Sequence, residues 1–154
     1  AIRNFQPVHN DLIARKLPDG HAYLYATPDY IASLGPVNSE ADLVKADFVG
    51  FNDNKPLIDA YQEAGIEVTD GNFPLTTESH IVHWEMAKNG YAVGVMPDFV
   101  GDKERGVTRV LDSMPPMVFE TWLVVHRELR TNRRVKLVCD FLFEELSDFL
   151  SPGS

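Results

Sequence analysis

The run Asn89-Gly90-Tyr91-Ala92-Val93-Gly94-Val95-Met96-Pro97-Asp98-Phe99 limits the fold more than any other stretch of this chain. It closes a helical pattern, crosses a glycine, becomes a short apolar strand and stops at a proline that can open another helix. Glycine suits a helix C-terminus because the left-handed conformation costs it nothing. Proline suits a first helical turn, where its missing N–H is not needed. Helix, glycine, buried strand, proline, helix is the pattern of an α/β domain with a ligand cleft at its strand ends.

The flanking sequence extends this pattern. Residues 12–17 and 21–26 alternate like strands around the turn Pro18-Asp19-Gly20. Thr27-Pro28 opens a helix that Gly35-Pro36 stops, and Ser39 caps a second running to Lys45. Strands are expected at 47–51, 66–68, 107–111 and, as one long element, 117–125. Helices are expected at 55–64, from Thr77-Glu78-Ser79 to Asn89 with Ile81, Trp84 and Ala87 or Met86 on its apolar side, and as a short turn at 99–103. Thr131 is expected to cap a last helix with Val135, Val138, Phe141 or Leu142, and Phe149 on one face.

The chain has 154 residues, 44% of them apolar, which suffices for one ordinary domain or two small lobes. No apolar run approaches a membrane span, and no secretory signal opens the sequence. A net charge of −9 makes this chain by itself a poor DNA binder. The basic cluster of Arg127, Arg130, Arg133, Arg134 and Lys136 is local, and the bland reading is a solvated helix start. The single cysteine, Cys139, excludes an internal disulfide, fits a reducing cytosol and reads as a buried structural thiol.

No catalytic constellation stands out. There is no Gly-x-Ser-x-Gly elbow, no phosphate loop and no carboxylate pair that sequence marks as acid and base. His80 and His83 share a helix face, but a metal needs further ligands, and surface or boundary histidines are the better reading. No cofactor is expected. Thr77 and Ser79 carry more: a helix N-terminus offers free N–H groups and a positive dipole end to an anion, while plain N-capping explains at least one of the two. Arg3 either pairs with a neighbouring carboxylate or grips an anion with its planar fork. Tyr23, Tyr25, Trp84 and Trp122 read as core rather than ligand platform.

The segment Gly90-Tyr91-Ala92-Val93-Gly94-Val95-Met96-Pro97 resembles the effector-binding domain of LysR-type transcriptional regulators. So do Ala1-Ile2-Arg3, the stretch Leu24-Tyr25-Ala26-Thr27-Pro28-Asp29-Tyr30-Ile31, and residues 122–130 followed by Arg133-Arg134-Val135 and Asp140-Phe141-Leu142. These matches stand in family order over nearly the whole chain. The resemblance implies a periplasmic-binding-protein-like α/β fold of two lobes with mixed sheets. Residues 1–23 and 123–154 would form a partial first lobe, and residues 24–122 a complete second lobe. A full-length member would begin with a winged helix-turn-helix, a linker helix and the first half of lobe one, none of which precedes Ala1. An exposed apolar face around Phe141, Leu142 and Phe149 is therefore expected, and such a face usually finds a partner.

The resemblance also implies a function. A small molecule, often a carboxylate, would bind between the lobes and switch the conformation of a DNA-bound homodimer or tetramer in the cytoplasm. DNA would be read only by the missing N-terminal head. Thr77 and Ser79 would face the cleft with Arg3, Thr27 would sit where hinge and cleft meet, and Pro97 and Phe99 would line the other crossing. Met96 reads as core. A transport-type solute-binding protein is the alternative, since it shares the fold, and a small α/β enzyme is a further one.

Overall fold

A computed structural model describes residues 1–151. In chain order its elements are β1 (Ile2–Arg3), β2 (Leu12–Lys16), β3 (Gly20–Ala26), α1 (Pro28–Ser33), β4 (Val49–Gly50), α2 (Lys55–Glu63), β5 (Leu75–Thr76), α3 (His80–Lys88), β6 (Gly94–Pro97), α4 (Asp98–Gly101), β7 (Thr108–Arg109), β8 (Met117–Phe119), β9 (Trp122–His126) and α5 (Arg133–Leu150). Short 3-10 turns cover Glu40–Lys45, Asp70–Asn72 and Arg127–Thr131. The described residues divide into two compact units, residues 1–21 with 118–151 and residues 22–117. The chain passes from one to the other within β3 and within β8.

The first unit is an antiparallel sheet of order β1-β9-β2 with α5. Asn132, not Thr131, caps α5: its Oδ1 accepts from the N–H groups of Arg134 (3.0 Å) and Val135 (3.3 Å). Thr131 closes the preceding 3-10 turn instead. Val135 and Leu142 lie half-buried, whereas Val138, Phe141 and Phe149 are 55%, 59% and 49% exposed. The apolar residues of α5 therefore fall on two stripes, one of them open to solvent. Cys139 is half-buried rather than fully enclosed.

The second unit centres on β3, flanked by antiparallel β6 and β7, while β4 and β5 pair in parallel. Its core gathers Phe48, Tyr61 and Phe73, with ring centroids 5.0 to 6.1 Å apart, around Leu43, Ile66 and Val93. Thr27 caps α1 by accepting from the Tyr30 N–H at 3.2 Å, with Pro28 in the first turn. The run from Asn89 onward folds as its sequence dictates. Gly90 takes φ +75°, α3 ends, and the apolar strand β6 follows at once.

Several sequence expectations are corrected. Residues 66–68 alternate in burial but form no strand, because their polar backbone is spent locally. Val68 N–H donates to the Ile66 carbonyl, Ile66 N–H to the Tyr61 carbonyl, and Gln62 Nε2 to the Val68 carbonyl. The long strand expected over 117–125 is broken between β8 and β9, next to the passage from unit to unit. The strand expected at 107–111 shortens to β7, and the helix expected from Ser39 is a 3-10 turn. On α3 the buried residues are His83, Trp84 and Ala87, while Ile81 is 76% exposed.

Tyr61 is fully buried, and its hydroxyl has no hydrogen-bond partner among the described residues. An unpaired buried hydroxyl costs stability, whereas removing it leaves the ring packing intact. Tyr61→Phe is therefore expected to hold or raise the unfolding free energy measured in urea, by up to about 1 kcal/mol. A loss of stability would reveal a partner for that hydroxyl.

Candidate functional site

The second unit brings two chain turns together through one local device. After Gly90 the chain reverses, so β6 runs back along α3. Gly94 lies so close to α3 that a Cβ there would meet the Ala87 Cβ at 2.7 Å and His83 Nε2 at 3.3 Å. One residue on, the Val95 N–H donates to His83 Nε2 at 3.0 Å. The end of β6, Pro97, is thereby carried towards the N-terminal end of α3, where Thr77 and Ser79 stand. Phe99 follows on α4, its N–H bonded to Asp98 Oδ1 at 2.7 Å.

The start of α3 is open. Ser79 is the N-cap, its Oγ accepting from the Val82 N–H at 3.4 Å, and the Ser79 N–H donates to Thr77 Oγ1 at 3.1 Å. Thr77 is anchored in turn by its N–H on the Gly50 carbonyl, 3.0 Å away. Both hydroxyl oxygens accept backbone protons, so both O–H groups stay available to donate. The N–H groups of His80 and Ile81, the next two in the helix, find no acceptor among the described residues. Ile81 and Val82 add exposed apolar surface beside these donors. Capping and ligand donation are compatible here, since they use opposite sides of the same hydroxyls.

Beneath this end lies His83, which is 1% exposed. Phe51 stacks on it, rings 12° from parallel and 5.0 Å apart, and also meets His80 at 5.0 Å. Burial, then the neighbouring His80, lower the His83 pKa to about 4, so the ring is neutral near pH 7. Because Nε2 accepts from Val95, the proton sits on Nδ1, which has no partner among the described residues. His83 is thus an interior residue rather than the surface or boundary histidine its sequence context suggests. No group of three His, Cys, Asp or Glu side chains is placed to hold a metal among the described residues.

The other candidate residues lie elsewhere. Thr27 sits beside Gly90, past the far end of α3, with its Oγ1 3.0 Å from where a Gly90 Cβ would be. The nine residues of α3 separate it from Ser79, a span of about 13 Å at about 1.5 Å per residue. Arg3 belongs to the first unit, opposite Trp122 in the sheet, with its guanidinium 5.6 Å from the Phe5 ring. It makes no ion pair among the described residues. Met96 is half-buried on β6.

A network invisible in the sequence holds α4 in place. Tyr25 Oη donates to Asp102 Oδ1 at 2.8 Å, and Arg109 clamps the same carboxylate through Nε (2.9 Å) and Nη2 (2.5 Å). The guanidinium also lies 3.5 Å from the Tyr23 ring centroid. Hydrogen bonding from Arg109 holds the Asp102 carboxyl below its usual range, and burial raises the Tyr25 hydroxyl. Tyr25 meets Trp84 of α3 edge-on at 5.8 Å and packs on Gly101 of α4. One buried ring therefore fixes both helices that carry the candidate residues.

A helix start that follows a strand end, as α3 follows β5, is where open α/β sheets take ligands. The chain belongs to the LysR substrate binding domain family, whose model matches residues 1–147, and is an effector-sensing regulatory domain of a transcription regulator. Its fold is similar to that of the CrgA regulatory domain, a LysR-type transcriptional regulator from Neisseria meningitidis. The TM-score is 0.72 at 23% identity, over 94% of this chain and 74% of that one. It is also similar to the effector domain of the regulator AmpR of Pseudomonas aeruginosa, with TM-score 0.73 at 14% identity over 93% of this chain and 68% of that one. Full-length CbnR in complex with its target DNA gives TM-score 0.67 at 13% identity. There the chain is covered to 96% but spans only 52% of the relative. No curated protein sequence matches. Among the described residues no helix is long and apolar enough to cross a membrane.

His83, Phe51 and the Tyr25–Asp102–Arg109 network were not legible as site residues. Gly94 was the available signal for His83, because a glycine inside an apolar strand marks a close approach by another element. Nothing in the spacing of Asp102 and Arg109 announces that they meet under Tyr25.

Proposed function

We propose that the N-terminal end of α3 binds the anionic end of a small organic effector, such as a carboxylate. The observation that carries this reading is the pair of unpartnered N–H groups on His80 and Ile81, beside the donor hydroxyls of Thr77 and Ser79. In this reading Pro97 and Phe99 supply apolar surface for the effector body. Arg3 is a separate anion-gripping candidate and Thr27 a hinge residue.

Effector binding favours one conformation of the intact regulator over another, to the extent that its affinities for the two differ. The intact protein acts in the cytoplasm as a homodimer or tetramer and meets DNA through a separate N-terminal head. The family match favours this regulator over a transport-type solute-binding protein, and no catalytic role is proposed.

The test is a thermal-shift screen of the intact regulator against small carboxylates and aromatic acids, followed by titration of the acid giving the largest shift. Ser79→Ala and Thr77→Val should each weaken that acid by roughly tenfold or more, the cost of a hydrogen bond to a charged ligand. Unchanged affinity in both variants would remove the helix start from the site.

A further inference from the structure

The first unit carries a cavity that the effector reading does not use. It measures about 400 Å³ and opens between β2, β9 and the first turns of α5. That volume falls within the usual range for small-molecule sites. Its apolar lining comes from Ile13, Val125, Leu129 and Val135. Ile13 and Val125 are direct partners in the β2–β9 ladder, so their side chains share one face of the sheet. Arg15, two residues beyond Ile13, forms one wall and is already neutralised. Its Nη1 donates to Asp140 Oδ1 at 2.8 Å, and its guanidinium lies 3.7 Å from the Phe143 ring centroid.

Two other cations at the rim are not neutralised. Arg130 and Lys136 line the cavity, are exposed, and pair with no carboxylate among the described residues. In a chain of net charge −9 this is a local reversal of sign. An apolar hollow with free cations at its mouth matches a molecule with an apolar body and an anionic head. Inorganic phosphate or sulfate would leave the apolar wall unused, and a neutral alcohol would leave the cations unused.

We infer that this cavity is a second binding site, separate from the helix start of α3, for an amphipathic organic anion. The ligand class is a carboxylate on an alkyl chain or ring. Its body lies against Ile13, Val125 and Leu129, and its head group faces Arg130 and Lys136. Attraction at this exposed mouth is screened by salt, so affinity falls as ionic strength rises.

Cys139 lines the same cavity and is the only cysteine in the chain, so its alkylation rate reports occupancy without any labelling mutation. The experiment measures the rate of Cys139 modification by iodoacetamide in the whole chain, with octanoate added below its micelle concentration. Octanol and sulfate serve as controls. Octanoate should slow the reaction saturably, while octanol and sulfate at equal concentration leave it unchanged. Arg130→Glu with Lys136→Glu should raise the half-saturating octanoate concentration by at least about fivefold. Both residues are exposed, so the melting temperature should stay the same. Thr77→Val and Ser79→Ala should leave protection intact, which separates this site from the one on α3. No slowing by octanoate, equal slowing by octanol, or a half-saturation indifferent to the charge reversal would overturn the inference. Should the double variant unfold, Ile13→Asp provides the same test from the apolar side: retained protection by octanoate would count against the site.

Discussion

Gly101→Ala is expected to destabilise the protein by about 3 kcal/mol or more, although it adds a single methyl group. The new Cβ would stand 2.2 to 2.6 Å from three atoms of the Tyr25 ring. A flexible surface side chain could step aside, but Tyr25 cannot. It is 1% exposed, tied to Asp102 by its hydroxyl, and met edge-on by Trp84. Relief requires either shifting the backbone of α4 or giving up the Tyr25–Asp102 hydrogen bond, and overpacking alone costs about 1–3 kcal/mol. Urea denaturation reads the loss. A double-mutant cycle with Tyr25→Leu locates it, because the smaller side chain should recover part of the cost of the alanine. Simple additivity of the two substitutions would show that the methyl clashes with something else.

The second large effect is a pH dependence centred on His83. Its pKa is lowered to about 4 by burial and then by His80, against 6.5 for an ordinary histidine. The unfolded chain therefore takes up a proton near pH 6.5 that the folded chain refuses until about pH 4. Stability from this group is fully present above pH 6.5 and is lost as the pH falls from there to about 4. The loss amounts to roughly 3 kcal/mol, because a tenfold difference in proton affinity between the folded and unfolded chain is worth about 1.4 kcal/mol. His83→Gln keeps an acceptor for the Val95 N–H but cannot titrate. Denaturant midpoints from pH 4 to 8 should then fall steeply for the native protein relative to the variant. Parallel curves would mean that His83 is more open to water than its packing against Phe51 indicates.

Sequence reading reached the fold mainly where one residue type serves one local purpose. Gly90, Pro97 and Pro28 each mark a boundary that only their own backbone chemistry explains, and each stands where it was expected. The family motifs extended those boundaries to a two-lobed α/β architecture and to the regulator class. Failures came where a pattern was right about burial and wrong about bonding. Ile66 and Val68 are both buried, with Glu67 exposed between them, yet their peptide groups are consumed by Tyr61 and Gln62. On α3, Ile81 looks like core by spacing but lies in solvent, and the polar His83 takes the interior place against Gly94 and Phe51. Helical spacing says which residues share a face; it does not say what the neighbouring strand leaves room for. The meeting of Tyr25, Asp102 and Arg109 depends on three separate elements, and no local rule could have paired them.

The reversal at Gly90 has an evolutionary corollary. Because β6 doubles back along α3, Thr77, Ser79, Pro97 and Phe99 occupy one uninterrupted stretch of the gene, residues 77–99. The proposed effector site could therefore be exchanged as a cassette by a single short recombination event, with β3 and Tyr25 left behind as the socket that receives it. Descendants of one ancestral sensor could in this way acquire new chemical tastes without refounding the scaffold.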